Sequence, residues 1–145
     1  MVSNLHFYLR LALRNQDYFV YSQGTDIFVA SIEKTYKPDI VLVGKEAEQR
    51  KNHHILNPLV TFEVVPKSTQ TKDKTEKLEG YQSIESLQTC ILISQDEYWV
   101  TVYERINANT RQAQILKSPE DTLVLNTLNL HMPLREVYEE VAFDA

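Results

Sequence analysis

The chain has 145 residues, 43% of them apolar, with three glycines, five prolines and no low-complexity tract or internal repeat, which suits one domain with its own core and is too short for two. A formal net charge of −5 disfavours a protein that coats nucleic acid by charge alone, because affinity for phosphate chains comes from Lys and Arg displacing counterions. A single cysteine, Cys90, excludes an intramolecular disulfide, and no N-terminal stretch has the pattern of a signal peptide or the length of a membrane span, so a cytoplasmic location is expected.

The opening NLHFYLRLALRN spaces Leu5, Leu9 and Leu13, with Ala12, at helical intervals and predicts an amphipathic helix ending near Asn15. YFVYSQGTDIFVASI then changes to β-branched and aromatic residues around a turn signal at Gly24, where strands begin. In KPDIVLV, Pro38 fits only a strand start or an edge, which puts Asp39 at a strand end. The polar GKEAEQRKNHH is expected to be a connection leading into LVTFEVV, so that the two apolar strands form a hairpin-like pair. Alternation along the second strand puts Val60, Phe62 and Val64 on one face and Thr61, Glu63 and Val65 on the other.

KSTQTKDKTEKLEGYQSI turns to helix formers, with Ser68, Thr69 and Thr71 as caps and Asp73, Lys77 and Tyr81 one turn apart on a single face. Asp73 also suits a helix N-cap with Glu76 completing a capping box. TCILISQ, EYWVTVYERI and QAQILKS are strand-like runs, and the chain closes with a strand and a short helix within residues 121–141. The order of elements predicts an α/β or α+β sandwich around one mixed sheet.

Two carboxylates lie in the runs best suited to be core strands. A carboxylate in an apolar strand is costly unless it is paired, hydrogen-bonded or bound to a cation. Asp39 and Glu63 on neighbouring strands, facing the same way, would repel each other, and a divalent cation between them would remove that cost. A small set of hard oxygen donors suits magnesium or manganese better than zinc, and such an ion can activate water at a phosphodiester. For a cation near that water, Lys77 on the following helix is the first choice and Lys67 the second. The plainer readings are an Asx-type turn for Asp39, a solvated strand face for Glu63, and for Lys77 an exposed lysine paired with Asp73. Residues 45 to 77 carry seven basic and five acidic side chains, a weak local excess of positive charge beside the two acids.

Other signals are weaker. His53 and His54 read as a polar loop, Cys90 as a small buried side chain, and His131 as a residue at a helix start. Tyr98, Trp99 and Tyr103 read as packing in a strand before a platform for bases.

The segments KPDIVLV, NPLVTFEVVPKST, DKTEKLEGY, SLQTCILISQDEYWVTVYER and LNLHMPLREVYEEV, in that order, resemble the Uma-two family of restriction-endonuclease-like proteins, a branch of the PD-(D/E)XK nuclease superfamily. The likeness covers nearly the whole chain. It implies a restriction-endonuclease-like mixed sheet flanked by helices over residues 1–145, and hydrolysis of DNA phosphodiester bonds. It further implies magnesium, with manganese as a substitute, held by Asp39, Glu63 and the carbonyl of Val64. The superfamily's usual lysine place, two residues after the glutamate, holds Val65, so the resemblance points to Lys77 instead, with Asp73 and Tyr81 in supporting roles. Two departures accompany it. EVVPKST shifts the family's proline and inserts Lys67, and the chain starts inside a helix that family members precede with a segment carrying an acid and a histidine. A homodimer and no membrane contact are expected. The alternative is a family member that keeps the sheet but has lost turnover and acts as a nucleic-acid- or protein-binding module.

Overall fold

The computed structural model describes residues 1–22, 24–66 and 74–143. Its centre is a six-stranded mixed sheet in the order β1 (Tyr18–Tyr21), β4 (Ile40–Gly44), β7 (Val60–Val65), β8 (Thr89–Ser94), β9 (Val100–Asn107), β10 (Thr110–Leu116). Every pairing is antiparallel except that of β7 with β8. Parallel neighbours need a crossover, and here it contains α2 (Lys74–Gln82).

Both faces of the sheet are covered, which is why β4 and β8 are near-continuous apolar runs. On one face Ile40, Leu42, Val60, Phe62, Ile91 and Ile93 join a core with Leu5, Leu9 and Leu13 of α1 (Val2–Leu13). The same core takes in the pair β11 (Thr122–Leu125) and β12 (Leu130–Pro133), joined through a 3-10 turn, and the short α3 (Leu134–Val137). On the other face Val41, Val43, Cys90 and Leu92 meet Tyr81 of α2 and a small sheet in the order β3 (Lys34–Tyr36), β2 (Ile27–Val29), β6 (His54–Ile55), β5 (Arg50–Lys51).

The first helix buries the three leucines spaced four apart, while Ala12, at the margin of that stripe, is exposed. The connection expected at 44–54 instead holds the hairpin β5–β6, turned at Asn52 and His53 with φ of 51° and 70°. Apolar periodicity does not reveal strands of two residues; the turn chemistry at Asn52 would have. The C-terminal part contains two paired strands where one was expected, and His131 lies in β12, not at a helix start. Gly24 sits at φ 95°, a turn conformation natural for glycine.

Candidate active site

Asp39 lies one residue before β4 and is fixed to β7 by its own backbone and its side chain. Its N–H donates to the carbonyl of Phe62 at 3.0 Å, and its Oδ2 accepts the N–H of Val64 at 2.7 Å. These two bonds bracket Glu63. The β4–β7 register pairs Ile40 with Phe62, and because the Asp39 N–H goes to the carbonyl of that same Phe62 the chain leaves the regular ladder at Asp39, which lies at the strand end beside Glu63 through its bond to Val64.

Glu63 does not sit on a solvated face. It is 5% exposed, because the crossover helix lies over the face that carries Thr61, Glu63 and Val65. Lys77 and Tyr81, one turn apart on that helix, both reach it: Lys77 Nζ is 2.5 Å from Glu63 Oε1, and the Tyr81 hydroxyl donates to the same oxygen at 3.1 Å. Oε2 is outside both contacts. The lysine side chain keeps 38% of its surface exposed, so its ammonium group spans the boundary between solvent and the buried carboxylate. Val65, two residues after Glu63, packs against the core on this face, and the cation beside the glutamate comes from the helix.

Burial, reinforced by the charge of Glu63, holds the Tyr81 phenol protonated far above its ordinary range, so it acts toward Glu63 as a donor. Its ring packs on Tyr36 with centroids 4.8 Å apart. Cys90, paired with Thr61 across β7–β8, is buried, and that burial pushes its thiol up to about 12. It is an inert core side chain.

Of the residues singled out in the sequence, Asp39, Glu63, Val64, Lys77 and Tyr81 are brought together. Lys67 and Asp73, with the caps Ser68, Thr69 and Thr71, lie outside the described residues. His54 faces Asp26 at 4.0 Å. Tyr98 packs with Tyr138 and Phe143, Tyr103 is buried, and Lys117 lies over the Trp99 ring; packing accounts for these aromatics. One contributor missed in the sequence is Tyr36, whose aromatic character two residues before Pro38 was the available signal.

Among the described residues no group of three or more His, Cys, Asp or Glu side chains could enclose a metal. An ion at this place would meet the carboxylates of Asp39 and Glu63, with the Val64 carbonyl beside them. Few protein oxygens, with the remaining positions left to water, fit magnesium or manganese and not zinc.

The profile of the family described as "Uma2: Putative restriction endonuclease" matches residues 1–135. The chain belongs to the Uma2 family. A solved structure of similar fold is that of a "putative nuclease belonging to DUF820" from Anabaena variabilis, which superposes with a TM-score of 0.75 at 16% identity, over 97% of this chain and 79% of that one. A curated relative, "Uncharacterized protein sll1609" of Synechocystis, is 28% identical over 105 residues, 71% of this chain. The match spans 59% of that relative's length. Among the described residues no helix is long and apolar enough to cross a membrane.

Proposed function

We propose that this Uma2 protein is a magnesium-dependent endonuclease that hydrolyses phosphodiester bonds of DNA, with manganese able to substitute. The observation that supports it most is the Asp39 carboxylate held on the Val64 amide, next to Glu63, with the Lys77 ammonium on Glu63 Oε1. In this reading Asp39, Glu63 and the Val64 carbonyl hold the ion. When bound, the ion would lower the pKa of a water and offset charge building on the phosphate.

The chain's own residues do the rest. The Val64 amide fixes the direction of the Asp39 carboxylate, and Tyr81 fixes that of Glu63. Lys77 balances the second carboxylate and has its exposed side free to orient the attacking water or meet a phosphate oxygen. The family membership supports DNA as substrate. A cytoplasmic protein acting as a homodimer, one protomer for each strand of a duplex, completes the proposal.

Calorimetric titration of manganese, paired with a plasmid-nicking assay, tests it. Wild type should take up the ion and nick DNA. Asp39→Ala with Glu63→Ala should lose both, and Lys77→Met should keep uptake but cut at least ~10²-fold more slowly, the usual cost of removing a charge-stabilising donor. Uptake without cleavage would leave the binding-module reading; no uptake would end the nuclease reading.

A further inference from the structure

A second feature lies at the free end of the same sheet. β1 is an edge strand, and along it runs a cleft of about 360 Å³ between the end of α1 and the strand. Its walls carry Arg10, Arg14 and Lys45 together with the rings of Tyr18, Phe19 and Tyr21, and no carboxylate is among its lining residues. The three cationic side chains are exposed. In a chain of net charge −5, a concave surface with only positive side chains is a local reversal of sign.

The rings are arranged as well as present. Phe19 and Tyr21, two residues apart and so on one face of the strand, stack with centroids 5.5 Å apart and planes inclined by 28°. Lys45 Nζ lies 5.4 Å from the centre of the Phe19 ring, and the Arg50 guanidinium 5.0 Å from that of Tyr21. Of the acids beside them, Glu48 is engaged by the Tyr21 hydroxyl at 3.1 Å and by Arg50 Nε at 2.5 Å, and Asp17 and Glu46 line the adjoining hollow that shares Lys45, so Arg10, Arg14, Lys45 and Arg50 keep a small positive excess.

Register ties this surface to the candidate active site. Tyr21 pairs with Val41 and Phe19 with Val43, which puts both rings on the sheet face that carries Glu63, while Arg10 and Arg14 come from the end of α1 on the opposite face, so the cleft wraps the edge strand. Val43 is four residues from Asp39, so the rings extend from the carboxylates over roughly 13 Å of strand.

Cations in a groove follow a phosphate backbone, and aromatic rings accept unstacked bases of any sequence. A duplex keeps its bases stacked inside and offers nothing to the rings. We infer that this cleft binds a single-stranded nucleic acid segment along the β1 edge of the sheet that carries Asp39 and Glu63. The inference deepens the nuclease reading and rests on it for the chemistry at the carboxylates, but binding can be measured separately.

The test is fluorescence anisotropy of a short labelled single-stranded DNA of mixed sequence with the full chain in EDTA, beside the same sequence as a duplex. Single strand should bind more tightly than duplex. Arg10→Ala, Arg14→Ala and Lys45→Ala combined should weaken it roughly tenfold or more and lower the salt slope by about 2, the share of three phosphate contacts on a single strand. Phe19→Leu with Tyr21→Leu, which keeps apolar bulk, should weaken the single strand and not the duplex. The triple variant should take up manganese like wild type; wild type that binds single strands through the cleft yet takes up no manganese would sink the nuclease reading and leave the cleft standing. The inference is overturned if the triple variant binds single strands as wild type does, if duplex is preferred, or if a polyglutamate peptide binds as tightly as the DNA.

Discussion

Glu63 is the residue on which the site turns, because a carboxylate 5% exposed in an apolar sheet must be satisfied from within. One of its oxygens takes both an ammonium and a phenol. Tyr81→Phe keeps the ring and removes the donor; a hydrogen bond to a charged group contributes about 1.5–3 kcal/mol. Urea denaturation of that variant should show a loss in this range, and unchanged stability would mean the phenol does not hold the carboxylate. A second titrating residue lies in the opposite core. The Tyr138 hydroxyl donates to the Ser94 carbonyl at 2.7 Å, and burial raises its pKa from an ordinary 10 to about 12. A folded-state pKa above the unfolded one contributes stability that is complete below pH 10 and is lost as pH climbs through 12. Cys90, raised from 9 to about 12, acts in the same direction. Denaturation across an alkaline series should show stability falling from pH 9 to 12, with Tyr138→Phe less stable at neutral pH and falling less steeply above 10; parallel curves would contradict this.

At the scale of elements, α2 positions the site because a parallel β7–β8 pair obliges the chain to cross over the sheet. Its close approach depends on Gly80: a Cβ there would collide with the hydroxyl and ring of Tyr36, which itself packs on Tyr81. Gly80→Ala should therefore cost about 1–3 kcal/mol by overpacking, despite alanine's better helix propensity, and should lower manganese affinity if the helix shifts; thermal and metal titrations read the two effects. Much of this arrangement was legible in the sequence. Period-two alternation set Glu63 apart from Phe62, the proline of KPDIVLV put Asp39 at a strand end, and the i,i+4 spacing joined Lys77 to Tyr81. The burial of Glu63's face was not legible, because alternation separates two faces without saying what covers each. The cover comes from the crossover helix together with distant segments, notably the small sheet around Ile27 and Ile55, whose strands are too short to leave a periodic signal.

At the scale of the molecule, the six-stranded sheet carries both features: Asp39 and Glu63 at β4 and β7, with the rings of Phe19 and Tyr21 on the Glu63 face, and the basic cleft wrapping the β1 edge toward α1. Net negative charge elsewhere discourages indiscriminate binding of phosphate chains. The account rests on Asp39 and Glu63 jointly holding a divalent ion, and a crystal soaked in manganese with anomalous scattering measured at its absorption edge tests that most directly. One strong anomalous peak bonded to oxygens of Asp39 and Glu63, at about 2.1–2.2 Å, is the expected result. Carboxylates turned away from each other, or manganese bound only elsewhere on the surface, would contradict it.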